Sequence, residues 1–308
     1  MTLHVIGNTT RDIFYLTESF PLPGESVLAA ERKEDVGGKG FNQAVAATYA
    51  GAQVNFTTPL GNDTNAKFLR KTIYSIEGMT AKILTAPFVS DESIIVISSD
   101  SENSIVTTAD CANWPSIEML KPSLELINPD DMLLMQGNMD FETTKAGIIK
   151  AKERGAICIL NPAPLMQNAA LLASLADIIV LNLVEACAIL GQFESDITNT
   201  ASAIAQGKML QEQSGSVILL TLGSKGCVIF SDEEFIEISA PRVDAVDTTG
   251  AGDTFIGWFC AGYIEGLSLR DAVKKAVNAA ALTVTRLGTG NALPTKEDYA
   301  QFLRVISK

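Results

Sequence analysis

Apolar residues in this chain fall into two rhythms. Short continuous runs at Leu3–Gly7, Asp131–Gln136, Ala156–Leu160, Asp177–Leu181 and Ser216–Thr221 are rich in Ile, Val and Leu and bounded by polar residues. That is the pattern of strands buried on both faces. Between and after them, Lys39–Ala50, Thr64–Ile76, Phe141–Lys152, Thr200–Gln213, Ala251–Ile264 and Leu269–Arg286 space their apolar residues at helical intervals. The alternation predicts an α/β fold, a mostly parallel central sheet with helices on both faces. Ligands of such sheets collect at the carboxyl ends of the strands.

Two stretches break the rhythm. Residues 13–36 carry Pro21, Pro23 and Gly24 and then a run without a helical stripe. Residues 81–109 hold two apolar segments, Ser93–Ser98 and Ser104–Thr108, around the polar turn Ser99–Asn103, which reads as a hairpin. Together they predict a small inserted β-sheet, a lid, within one domain covering 1–308. The chain shows no internal repeat, low-complexity tract or linker.

Composition narrows the chemistry. Of 308 residues, 47% are apolar, and 23 Lys plus Arg face 36 Asp plus Glu for a net charge of −13. An acidic chain lacks the basic footprint of a nucleic-acid or anionic-membrane partner. The single histidine, His4, leaves no cluster for zinc and disfavours a Ser-His-Asp arrangement. Flanked by Leu3 and Val5, it reads as a packed strand residue. Five scattered cysteines without a CxxC pair indicate neither a disulfide framework nor a zinc ribbon. No apolar stretch approaches the length of about 18 residues that a membrane helix needs, and no signal peptide is visible. The expectation is a cytoplasmic protein.

Glycine-rich segments carry the strongest chemical signal. Gly38–Gln43 and Gly250–Phe255 both begin GxG but lack the third glycine of a dinucleotide fingerprint, and nothing matches GxxxxGK[ST]. A dehydrogenase and a P-loop enzyme are therefore disfavoured. Gly250, Ala251 and Gly252 nevertheless stand directly before a helical pattern, where free backbone N–H groups and the helix dipole make an anion site without basic side chains. Asp253 is then oddly placed. A carboxylate in a first turn can simply favour the dipole, but beside a phosphate it repels, unless its task is to take a proton from an attacking hydroxyl.

The order of motifs resembles that of the ribokinase-like (PfkB) carbohydrate kinase family over nearly the whole chain. Gly37-Gly38-Lys39-Gly40-Phe41-Asn42-Gln43-Ala44 is similar to its N-terminal signature, and Asp247–Phe255 (DTTGAGDTF) to its C-terminal one. Asn161-Pro162-Ala163-Pro164, Asn182-Leu183-Val184-Glu185 and Thr221–Gly226 fall between them in family order, and the first signature and NPAP lie nearest the ribokinase branch. The resemblance implies transfer of a phosphoryl group from Mg-ATP to a hydroxymethyl group of a sugar. It implies Asp253 as general base and Gly250, Ala251 and Gly252 as anion hole. On the sugar side it implies Asp12, Gly38, Lys39, Asn42 and Asn138. On the nucleotide side it implies Asn182, Thr221, Gly223, Ser224, Gly226 and Asn278, with Glu185 bearing on Mg²⁺ through water. Asp247, Thr249, Thr283, Arg286, Gly288 and Ala292 match a loop for a monovalent cation, K⁺, mostly through carbonyl oxygens. A homodimer through the lid is a further family expectation.

Several of these residues have plainer readings. Asp12 alone is an ordinary turn acid, Lys39 a surface lysine, and Asn182 with Glu185 has the spacing of a capping box. The chain also departs from the ribokinase branch. Asn138 stands where that branch places a sugar-contacting Glu after Gln136-Gly137, and Thr10 replaces an Asn near Asp12. Two such polar changes can redirect specificity, so pentoses, deoxysugars, ketohexoses and sugar acids all remain candidates. A nucleoside kinase of the same fold and a non-catalytic sugar-binding regulator are the rival readings.

Overall fold

The computed structural model describes residues 1–100, 103–192, 200–232, 235–288 and 290–306. Its larger sheet contains β1 (Leu3–Ile6), β4 (Val54–Leu60), β5 (Met79–Thr85), β8 (Met132–Gln136), β9 (Ile157–Asn161), β10 (Ile178–Asn182) and β11 (Val217–Thr221), all parallel. Antiparallel β12 (Cys227–Phe230) and β13 (Phe235–Ile238) complete nine strands in the order β13-β12-β11-β10-β9-β8-β1-β4-β5. The chain winds outward in both directions from the β1–β8 pair. The carboxyl ends of those two strands therefore form the switch point where such sheets open a crevice.

Continuous apolar strands have a reason here. Successive side chains enter different cores, Leu3 and Val5 on one face and Ile6 on the other. The first core is covered by α1 (Lys39–Tyr49), α2 (Thr64–Ser75), α9 (Ala251–Ile264) and α10 (Leu269–Thr283), with α11 (Lys296–Ile306) at its edge. The second lies under α4 (Ile117–Leu124), α5 (Phe141–Glu153), α6 (Ala169–Ala173), α7 (Leu183–Ile189) and α8 (Thr200–Ser214), and α3 (Asp110–Asn113) is a single turn. Among the described residues no helix is long and apolar enough to cross a membrane.

A second sheet of four strands, in the order β3-β2-β6-β7, stands apart. It consists of β2 (Thr10–Leu16), β3 (Glu31–Gly37), β6 (Glu92–Ile97) and β7 (Asn103–Thr107). The strands β6 and β7 form an antiparallel pair with Ile95 opposite Ile105. Residues 81–85, within the segment 81–109 expected in this sheet, instead belong to β5, which pairs with β4 in the large sheet. The small sheet also starts at Thr10, ahead of residue 13. Helix α10 ends at Thr283 rather than Arg286.

Helices α1 and α9 touch along small residues. A Cβ on Gly257 would lie 2.6 Å from Ala46 Cβ and 2.6 Å from the Ala47 nitrogen, so only glycine permits this approach. The contact brings the starts of both helices to one place. His4 is buried, with Nε2 3.3 Å from Asp131 Oδ2, and burial pushes its basicity down against that acid. The five cysteines are buried and none is in a disulfide, and burial pushes Cys111 and Cys158 up to about 12.

Candidate active site

Helix α9 opens at Gly250, whose φ of 78° lies in the left-handed region that favours glycine, and no side chain caps it. The Ala251 N–H donates to the Thr248 carbonyl at 3.3 Å, while the N–H groups of Gly252 and Asp253 have no such partner among the described residues. A Cβ on Gly252 would meet nothing within 4 Å. The helix start therefore presents donors to open space. Asp253, 8% exposed, stands at its lip and accepts from two amides of α1. Asn42 Nδ2 donates to Oδ2 at 3.1 Å and Gln43 Nε2 to Oδ1 at 2.9 Å.

The start of α1 is built by close packing. Gly38 has φ 95°, and a Cβ on Gly40 would lie 2.7 Å from the Asn8 nitrogen and from Gly7 Cα. The helix is thereby pressed onto the carboxyl end of β1. Asp12 enters from β2 into room left by Gly37, whose Cβ would lie 1.8 Å from Asp12 Oδ2. Burial pushes Asp12 up to about 6, opposed by hydrogen bonds from Thr10 and Ser93 and aided by the charges of Asp35 and Asp253. Thr10 Oγ1 donates to Asp12 Oδ1 at 2.6 Å. Asn42 Oδ1 and Asn138 Oδ1 are both buried without a donor. With Asp12 they leave this side of Asp253 rich in acceptors.

On the other side of Asp253 a cleft of about 130 Å³ is lined by Lys39, Asn161, Asn182, Glu185, Thr221, Gly250 and Gly252. Asn182 ends β10 and starts α7. Its side chain accepts the Glu185 N–H at 2.9 Å, and Glu185 Oε2 accepts the Asn182 N–H at 2.9 Å. The capping box suspected from spacing is therefore formed, and both residues also face the cleft. Thr221 ends β11, and Gly223–Lys225 make a single 3-10 turn closed by Gly226 at φ 101°. Asn278 lies on α10 and hydrogen-bonds the Tyr299 hydroxyl.

The comparisons with known proteins agree with this geometry. The profile of the pfkB family carbohydrate kinases matches residues 2–296. The chain belongs to that family. It is 32% identical over 306 residues to the ribokinase of Haemophilus influenzae, covering 98% of each chain. It is also 32% identical over 308 residues to the deoxyribokinase of Salmonella typhi, covering 98% of this chain and 99% of the relative. The crystal structure of a ribokinase from Cryptococcus neoformans in complex with ADP superposes with a TM-score of 0.83 at 27% identity, over 97% of this chain and 99% of that one. The protein is a carbohydrate kinase, and its class of reaction is ATP-dependent phosphorylation of a sugar.

In this carbohydrate kinase most of the cation-loop candidates also converge. Asp247 accepts the Thr249 N–H through Oδ1 and the Gly288 N–H through Oδ2, each at 2.9 Å. Its own N–H donates to the Val284 carbonyl just beyond Thr283, and the Arg286 N–H donates to the Thr283 carbonyl. The Arg286 side chain is spent on Asp298 at 3.1 Å, so only its backbone is available to a cation. Ala292 is buried in the turn Gly290–Ala292. Three polar residues to which the motifs assign no role are joined to Asp253 by hydrogen bonds: Gln43, Gln136 and Asn161. Each sits in or beside a quoted motif, but nothing in the spacing reveals that they meet.

Proposed function

We propose that this kinase transfers the γ-phosphoryl group of Mg-ATP to the hydroxymethyl group of a pentose, ribose or 2-deoxyribose. The observation that carries the reading is Asp253, oriented through both carboxylate oxygens, beside an uncapped helix start that opens on empty space. The sugar oxygen attacks the γ-phosphorus as its proton passes to Asp253. The bond from phosphorus to the β,γ-bridging oxygen breaks, and its electron pair leaves with ADP. The Gly252 and Asp253 N–H groups, with the Gly250–Ala251 turn, face the charge that develops on the equatorial oxygens.

The sugar fits a side lined by acceptors. Asp12, Asn42 Oδ1 and Asn138 Oδ1 each take a hydroxyl donor, while Lys39, expected on the sugar side, stands instead in the wall of the cleft with Asn182, Glu185 and Thr221. Both relatives compared above are named for pentose substrates. With Asn138 neutral and Thr10 already bonded to Asp12, one hydroxyl of ribose loses a charged partner, which narrows the preference between ribose and its 2-deoxy form. Thr221, Gly223, Ser224 and Gly226 border the nucleotide, with Asn278 toward its base. Glu185 uses one carboxylate oxygen for the cap and keeps the other to hold Mg²⁺ through water, which suits a cation carried in on phosphates. When bound, that ion neutralises charge on the β- and γ-phosphates. The carbonyls around Asp247 and Gly288 suit K⁺.

The small sheet would act as the lid, since Asp12 on β2 reaches the sugar side. Its edge strand β7 exposes Ile105 and Val106, an open edge that a second copy would cover, and sedimentation as a monomer would reject that dimer. The decisive experiment is ADP release across pentoses, 2-deoxypentoses, hexoses, sugar acids and nucleosides, run beside Asp253→Asn. Pentose-dependent turnover, reduced about 10²–10⁴-fold in the variant, is expected. Turnover with nucleosides alone, or full activity in Asp253→Asn, would reject the assignment.

A further inference from the structure

Gln43 is 0% exposed, so it cannot reach a substrate. Burying a primary amide in a helix–helix contact is costly unless its groups are all paired. Here they are. Its Nε2 donates to Asp253 Oδ1 at 2.9 Å and to Asn161 Oδ1 at 3.0 Å, and its Oε1 accepts from Gln136 Nε2 at 2.9 Å.

The direction of this chain of amides is fixed at one end by the backbone. Asn161 Nδ2 donates to the Val180 carbonyl of β10 at 3.0 Å, which can only accept. Asn161 must therefore turn Oδ1 toward Gln43, and Gln43 must turn Nε2 toward both Asn161 and Asp253. A flipped Gln43 would set its oxygen against two acceptors and its NH₂ against that of Gln136. Gln136 in turn must present Nε2, which leaves its Oε1 buried with no donor at the end of the chain. That unpaired oxygen is the cost of the polarity. Asn161 also lines the cleft, so the chain ties its wall to the orientation of Asp253.

We propose that Gln43 is a positioning residue for phosphoryl transfer, and that the chain Val180 carbonyl–Asn161–Gln43–Gln136 sets the direction in which it holds Asp253. Asn42 grips the other carboxylate oxygen, so the two amides together define the plane of the carboxylate. The remaining lone pairs of Asp253 are then aimed at the attacking hydroxyl. The inference rests on Asp253 being the base.

Its test is steady-state kinetics of the full chain with ATP and the sugar found in the substrate screen, with melting temperatures, for Gln43→Glu, Gln43→Met and Gln136→Met. Gln43→Glu keeps the shape but removes the donors, and Gln136→Met releases the Gln43 oxygen without touching Asp253. Expected are kcat losses on the order of 10²-fold for the Gln43 variants and a smaller loss for Gln136→Met, with both KM values unchanged. If the Gln43 variants do not fold, Gln136→Met decides: loss of kcat alone supports the chain, and wild-type kcat overturns it. A folded Gln43→Glu with wild-type kcat, or one raising KM with kcat retained, overturns the proposal. Asp253→Asn separates the two readings. If it stays active, the base assignment fails. If it is inactive while Gln43→Glu is fully active, only the positioning role falls.

Discussion

The molecule contains two glycine-rich helix starts that look alike in sequence and serve opposite ends. Gly38 and Gly250 both have positive φ, and neither helix is capped by a side chain. At α1 the glycines are packed: a Cβ on Gly40 would strike the backbone of Gly7 and Asn8, and one on Gly37 would strike Asp12. At α9 the second glycine is surrounded by nothing, since a Cβ on Gly252 would meet no atom within 4 Å. At α1 the space of the missing side chains is filled by protein, whereas at Gly252 it is left open in the wall of the cleft beside Asp253.

Alanine at position 252 tests that contrast most severely. Gly252 has an ordinary helical conformation, so alanine should gain about 0.5–1 kcal/mol of stability through helix propensity. The added methyl would project into the open space that the proposed mechanism gives to the transferring phosphoryl group. We expect kcat to fall about 10²-fold or more, the scale of a lost anion-hole donor, in a protein that melts no lower than wild type. A variant with wild-type kcat would show that the empty space has no catalytic use.

Beside the packed start, burial raises the proton affinity of Asp12. Folded Asp12 keeps its proton up to about pH 6, against an ordinary value of 3.8. Between those limits the folded state binds more protons than the unfolded state, so stability falls as pH rises, by at most roughly 3 kcal/mol. Urea unfolding from pH 4 to 7 should show this decline, and Asp12→Asn should flatten it. Asp35 and Asp91 are also pushed up by burial, so the difference between wild type and variant carries the signal. Equal slopes in the two proteins would contradict a buried, proton-holding Asp12.

Much of this architecture is visible along the chain because the large sheet is buried on both faces. The five strands read from Ile, Val and Leu runs begin and end within one residue of the observed ones. Strand β4 escaped because Thr57 and Thr58 are buried polar residues and Pro59 interrupts the run. Strands β12 and β13 are four residues each, too short to show a period. In the site, Gly250–Asp253 was legible since a glycine turn followed by an acid is chemically unusual. Gln43 was not, because a glutamine on a helical pattern reads as surface. The approach of Gly257 to Ala46 and Ala47 packs α9 against that face of α1. Asn182 and Glu185 carried two readings from one spacing, and the geometry accommodates both.

Breaking the packed start should cost less than disturbing the open one. Gly40→Ala forces β1 and α1 apart against backbone atoms, an overpacking penalty of about 1–3 kcal/mol. It should lower the melting temperature and reduce activity in proportion, because Asn42 and Gln43 ride on the displaced helix. A melting temperature equal to that of wild type would mean the close approach is not obligatory.

The smallest effect tests a third helix start in the same cleft, one closed by its own side chain. At α7 the Asn182 side chain accepts the Glu185 N–H, and the Glu185 carboxylate accepts the Asn182 N–H in return. If capping is all that Asn182 does, Asn182→Asp should be silent, since aspartate caps as well as asparagine, and Asn182→Ala should cost about 1 kcal/mol. If the residue also faces ATP phosphates, Asn182→Asp adds a like charge there while sparing the cap. A charge pair at about 4 Å in water is worth about 1 kcal/mol, so KM for ATP should rise several-fold at an unchanged melting temperature. That separation is expected, since Asn182 lines the same cleft as Gly250, Gly252 and Asp253. An unchanged KM in both variants would leave α7 as structure and α9 as the one helix start in the cleft that works on the nucleotide.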